Sequence, residues 1–146
     1  MPIAVETLTT HEASDHALET VRIPMTALDR TRVRRLVTAP DGAELALALP
    51  TGTRLIPGQV LARVDGKVYV VEAAPEDLLL IRPNDWKQAA YAAHFIGNLH
   101  RDIDIQKDGR AALYDPGLEE KPGRAGLVCE RVTRPYGGRP AGTHSH

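Results

Sequence analysis

The sequence predicts an α+β protein, with a β-rich N-terminal domain followed by a ferredoxin-like (βαββαβ) C-terminal domain. Three observations carry that prediction. Aspartate–glycine pairs at Asp41-Gly42, Asp65-Gly66 and Asp108-Gly109 each stand between runs of strand-forming residues, where such a pair marks a tight hairpin. After Ala74-Pro75-Glu76-Asp77 the element order changes from successive strands to strand, helix, strand, strand, short helix, strand. Within that second half, Asp85 to His100 carries a full set of helix start and stop signals.

Residues 1–27 mix Thr, His, Glu, Ser and Asp with little periodicity and are expected to form a mobile lead. His11 and His16 lie in it. Five positions apart, they share neither a helix face nor a strand face, so they read as solvated residues rather than a metal pair. Residues 28–75 are expected to be the β-rich domain. Val33 to Thr38 forms a first run, Leu45, Leu47 and Leu49 alternate with Ala46 and Ala48, and Pro50-Thr51-Gly52 punctuates the chain. Val60 to Val64 and Lys67 to Val71 then flank Asp65-Gly66. Short strands with frequent turn signals indicate a small antiparallel sheet curled into a sandwich or barrel. Arg30, Arg32, Arg34 and Arg35 form a basic cluster at its entrance, read as a solvated edge that blocks edge-to-edge pairing, with an RNA contact as the alternative.

Residues 76–134 hold the second set of elements. A strand over Leu78 to Ile81 precedes the helix, and strands at Ile103 and Ile105 and at Ala111 to Tyr114 follow it. A short helical segment around Asp115 to Lys121 is limited by Gly117, Pro122 and Gly123, and Leu127 to Val132 forms the last strand. In the main helix Asp85 is an N-cap and Gln88 completes a capping-box pattern, while Trp86, Ala89, Ala90 and Ala93 recur at helical spacing. Gly97 is expected to take the left-handed conformation that ends a helix. His100 then falls on the exit loop, where it can meet a ligand or another subunit. His94 is expected to pack on the sheet or face solvent. Residues 135–146 are rich in Gly and Pro, are expected to be disordered, and end in His144 and His146.

Composition narrows the function. A chain of 146 residues with 42% hydrophobic residues is long enough for a core. Its net charge of −1 and 4% aromatic content argue against a nucleic-acid or anionic-membrane binder. The single cysteine, Cys129, excludes an intramolecular disulfide and suits a reducing compartment. The start of the chain lacks signal-peptide features, and no apolar run approaches the roughly 20 residues of a membrane span, so a soluble cytoplasmic protein is expected. No Ser/His/Asp grouping or phosphate-binding glycine loop is recognisable, and Cys129 reads as a small core residue, so an enzyme is not expected.

Metal binding has more support. Imidazole suits nickel, copper and zinc. One histidine is not a site, yet His100 on an exposed loop could meet its own copy across a two-fold axis. His144 and His146, on a flexible tether, could complete the shell.

These residues resemble the UreE family of urease accessory proteins, nickel metallochaperones. The resemblance runs from about Leu28 to Val132, through Asp29 to Arg35, Asp41-Gly42, Leu47 to Leu55, Gly58 to Leu61 and Val70 to Glu76. In the second half Gly97-Asn98-Leu99-His100 is similar to the family's Gly-Asn-x-His, and Asp115, Leu118, Glu119, Glu120 and Gly126 resemble its second helix and following turn. The resemblance implies a C-terminal domain that dimerises, with His100 as the interfacial Ni(2+) ligand, His144 and His146 assisting, and Cu(2+) or Zn(2+) competing. It further implies delivery of nickel to the urease assembly complex, which includes a GTPase accessory protein. Leu99 departs from the family's usual arginine, and Phe95 stands where a further histidine is common, with His94 one place away. The rival expectations are an RNA- or ribosome-associated module and a structural adaptor that takes up no metal.

Overall fold

Strand structure begins earlier in the chain than composition suggests. In the computed structural model, which describes residues 1–140, strands β1 (Ile3–Val5), β2 (Thr9–Thr10) and β3 (Glu19–Met25) all fall where a mobile lead was expected. The cause in β3 is a two-residue alternation: Val21, Ile23 and Met25 are buried while Arg22 and Pro24 face outward. Between β2 and β3 a 3₁₀ turn over Ala13–Ala17 is tied down by Asp15. Its carboxylate accepts from Glu12 N–H at 2.7 Å and from Arg63 Nε and Nη2 at 2.6 and 2.9 Å. Arg63 also donates to Thr9 Oγ1 and to the Thr10 carbonyl, so one guanidinium fastens the start of the chain to the strand that carries it. The Arg63 hydrogen bond, then that from Glu12, holds the Asp15 carboxyl well below the usual carboxylate range.

The chain divides into two compact units, Met1–Ala73 and Ala74–His146. The first is completed by β4 (Arg34–Thr38), β5 (Glu44–Ala48), β6 (Gln59–Val64) and β7 (Lys67–Ala73). Its strands form two sheets, ordered β1-β5-β4 and β2-β6-β7-β3. The hairpins pair antiparallel, but β1 runs parallel to β5 and β3 parallel to β7, so a wholly antiparallel sheet is not what forms. Both added strands come from residues 1–27 and have no hairpin joining them to their partners, which leaves parallel pairing open to them. One core takes Val5, Val37, Leu45 and Leu47 from one sheet and Val21, Ile23, Leu61, Tyr69 and Val71 from the other. At the β6–β7 turn Asp65 and Gly66 have φ of +51° and +76°, the pair of positive values a type I′ hairpin requires. The arginine cluster is split by burial. Arg30 lies in the interior with Nη1 donating to the Met25 carbonyl at 2.7 Å, whereas Arg32 and Arg34 are exposed.

The second unit contains β8 (Pro75–Arg82), α1 (Trp86–Asn98), β9 (Asp104–Gln106), β10 (Gly109–Leu113), α2 (Pro116–Arg124) and β11 (Val128–Pro135). Its strands form one sheet ordered β11-β8-β10-β9, with each neighbouring pair antiparallel. Leu79 and Ile81 of β8 and Ala112 of β10 pack against Ala92 and Ile96 of α1 and Leu118 of α2. Gly109 turns out not to be a turn residue: it opens β10, and a Cβ there would lie 2.5 Å from the Ile81 carbonyl oxygen. Its missing side chain admits close approach of β8. α2 runs further than expected, through Pro122, which stands near its end, where a missing N–H removes a single hydrogen bond.

The tail also departs from expectation at its start. Tyr136 is buried, and the Gly137 and Arg139 amides are hydrogen-bonded to side chains of Asp104 and Asp102. His144 and His146 lie outside the described residues.

Candidate metal centre

α1 determines where His100 is held. Its N-cap Asp85 is extended (φ −148°, ψ 177°), and its Oδ1 accepts from Gln88 N–H at 2.8 Å. Gln88 returns a bond one residue further back than a capping box would, from Asn84 N–H to its Oε1 at 2.9 Å. The core-facing stripe is Ala92 and Ile96, both fully buried, with Phe95 and Leu99 packed against the same cluster. Trp86, Ala89, Ala90 and Ala93 share a face as their spacing predicts, and it is the face turned away from this core, with Trp86 and Ala90 exposed and Ala89 and Ala93 half-buried. The outer stripe is Trp86, Ala90, His94 and Gly97, at helical spacing and all exposed, with Tyr91 beside it. Trp86 is 76% exposed and Tyr91 is 48% exposed, and the Tyr91 ring stacks on Phe95 at 6.4 Å.

The helix does not end on Gly97. Gly97 and Asn98 remain helical, Leu99 is the C-cap, and the left-handed residue is His100 itself, at φ +57°. His100 N–H donates to the Gly97 carbonyl at 2.9 Å and Arg101 N–H to the Ile96 carbonyl at 3.3 Å. Those two bonds are the paired closure of a Schellman motif, with His100 at the position glycine usually fills. The side chain is exposed there. A non-glycine residue in this region is uncommon and is held by its surroundings. The loop leaving His100 is fixed by Arg101, whose Nη2 lies 2.6 Å from Asp115 Oδ2.

Other expected donors are placed differently. His94 faces solvent on the outer stripe of α1. His11 and His16, read as unrelated solvated residues, have ring centroids 5.4 Å apart in an edge-on arrangement, because the 3₁₀ turn folds the chain back between them. Periodicity gave no sign of this; the reciprocal Glu12–Asp15 pairing at the start of the turn is the signal that could have. Cys129 packs against the core with Sγ 3.6 Å from the Leu127 carbonyl, and burial, followed by the Glu119 carboxylate, pushes its thiol up. It is protonated at neutral pH and is not an activated nucleophile. Among the described residues of one chain, no three His, Cys, Asp or Glu side chains are grouped closely enough to hold a metal ion. No helix among them is long and apolar enough to cross a membrane.

The family model described as UreE urease accessory protein, N-terminal domain, matches residues 4–74. A protein of Synechococcus sp. (strain JA-3-3Ab) named urease accessory protein UreE is 48% identical over 135 residues, covering 92% of this chain and 91% of its own length. One of the same name from Deinococcus radiodurans is 48% identical over 124 residues, covering 85% of this chain and 80% of its own. A more distant one from Paraburkholderia xenovorans is 36% identical over 121 residues, covering 81% of this chain and 54% of its own.

Proposed function

The chain belongs to the UreE urease accessory protein family, and from that premise we propose that it is a homodimeric metallochaperone carrying Ni(2+) as cargo for assembly of the urease metallocentre. The observation that carries this is His100: an exposed imidazole presented from a left-handed cap at the end of α1. The outer stripe of the same helix supports a dimer, since Trp86, Ala90 and Gly97 offer apolar and small surface leading directly to His100. An isologous pairing of two such helices brings each His100 toward its mate. We read the second unit as ferredoxin-like, on its βαββαβ order and β11-β8-β10-β9 sheet. His144 and His146 are the further donors. Cu(2+) and Zn(2+) compete, because imidazole accepts all three ions. The proposed recipients are the urease assembly complex and its GTPase accessory protein, and the proposed compartment is the cytoplasm. An RNA-binding role for the arginine cluster is disfavoured, because Arg30 is committed to the interior.

The test is a calorimetric titration with nickel at neutral pH on the full chain, on a chain ending at Gly142 and on His100→Ala. A tight event near one metal per two chains, kept on truncation and lost in His100→Ala, is expected. A tight event that survives His100→Ala rejects the assignment. Affinity should fall on acidification, since protons compete for the imidazole nitrogen.

A further inference from the structure

His11 and His16 are brought together by a turn that the rest of the first unit holds in place. The 3₁₀ turn over Ala13–Ala17 is closed by backbone bonds from Asp15 N–H to the Glu12 carbonyl and from Leu18 N–H to the Asp15 carbonyl, each at 3.0 Å. The buried Asp15 carboxylate fastens the turn to Arg63 of β6. Before His11, Arg63 also binds Thr9 and Thr10. After His16, Leu18 packs against Val60, Val68 and Val70, and Glu19 N–H donates to the Gly66 carbonyl at 3.0 Å. The segment is therefore anchored at both ends and in the middle, while its two imidazoles stand exposed.

Their mutual geometry suits a shared ion. The ring centroids are 5.4 Å apart and the ring planes are inclined at 69°. An ion about 2.1 Å from one nitrogen of each ring sets the ring centres about 4.5 Å apart at a right angle and about 5.2 Å apart at a tetrahedral one. Small rotations of two exposed rings cover the difference and aim a nitrogen of each at a common point. The Asp15 oxygens are engaged by Arg63 and Glu12 N–H, so water fills the remaining positions and the site is an open one. Glu12 and Asp15 outweigh the charge of Arg63, which favours a cation at the turn.

We propose that His11 and His16 form a second metal site, one in each chain, for a divalent ion of the imidazole-binding class, with Cu(2+) preferred. Copper stands above nickel and zinc in affinity for such donors. The site lies within the first unit, needs no partner copy and does not involve His100. Two imidazoles on a pre-formed turn act as a chelate. Once one has bound, the other is already at high local concentration, so the pair exceeds a single imidazole by at least about a hundredfold.

The experiment is a stepwise Cu(2+) titration of the isotope-labelled full chain at neutral pH, read from paramagnetic broadening of the Ala13, Ser14 and Ala17 amide signals. It is run on the parent, His11→Ala, His16→Ala and His100→Ala. Either His11→Ala or His16→Ala alone is expected to raise the copper concentration at half-broadening by at least about a hundredfold, since either breaks the chelate. His100→Ala is expected to leave it unchanged. Both imidazoles of the turn are exposed, so their removal leaves the core intact. A midpoint unchanged by either of the two substitutions overturns the site, as does a parent whose turn signals do not broaden before those of the two variants. A midpoint that moves with His100→Ala assigns the copper to the second unit and overturns it as well. None of these outcomes bears on the nickel reading, which stands or falls by His100→Ala in the nickel titration.

Discussion

A histidine at φ +57° combines the proposed ligand nitrogen with a backbone that a side chain disfavours. Replacement by glycine separates the two. His100→Gly is expected to raise stability to urea by about 1 kcal/mol through relief of the left-handed residue, while abolishing the nickel event. His100→Val should lower stability, because a branched Cβ is worse there than an imidazole. A less stable His100→Gly would mean that the contacts of the imidazole outweigh the strain. The sequence singled out His100 as the candidate ligand and misplaced the helix cap, for a physical reason. Gly97-Asn98 offers two residues tolerant of positive φ, and local preference alone selects the first. Its Schellman closure through Gly97 and Ile96 carbonyls sets the stop three residues later.

At the level of elements, α1 divides into a stripe that builds the second unit and a stripe that is free to do something else. Ile96→Ala, at a fully buried position, should cost about 2–5 kcal/mol in denaturant unfolding. Gly97→Ala should do the opposite: no atom lies within 4 Å of an added Cβ, and alanine gains about 1 kcal/mol over glycine in a helix. If two copies meet across this face, the same methyl group shifts the monomer–dimer balance toward monomer, which sedimentation at several concentrations will detect. What was legible among the elements was local chemistry. Asp65-Gly66 formed the hairpin its residues specify, and Asp85 capped the helix it precedes. What escaped depended on distant partners. Val21, Ile23 and Met25 carry a strand alternation, but Pro24 and the polar residues before them masked it until β7 supplied the pairing. Gly109 looked like half of a turn and is instead a concession to β8.

Across the whole molecule, several aspartates respond to acid in the same direction. The Arg63 hydrogen bond lowers the Asp15 carboxyl, Arg131 lowers Asp77 and Arg134 lowers Asp108, while the Ala43 amide, ahead of Lys67, lowers Asp41. A carboxyl whose folded value lies below its unfolded one stabilises the fold above the unfolded value, here 3.8, and loses that contribution as pH falls through the folded value. Stability should therefore be flat from neutral pH to about 4 and decline below it. Asp15→Asn should be less stable than the parent at pH 7, with the difference narrowing toward pH 2 in parallel urea titrations. The tail escaped the sequence reading at this scale too: Tyr136-Gly137-Gly138-Arg139 reads as an unstructured end, and the burial of Tyr136 and the carboxylates of Asp102 and Asp104 show otherwise. That attachment has a practical side. A chain ended after Pro140 keeps all of it, whereas a chain ended after Pro135 gives up the buried Tyr136 ring and takes from the Asp102 and Asp104 carboxylates the amides of Arg139 and Gly137. Urea titrations of the two shortened chains should therefore differ, and the size of the difference measures what five residues past the last strand contribute to the second unit.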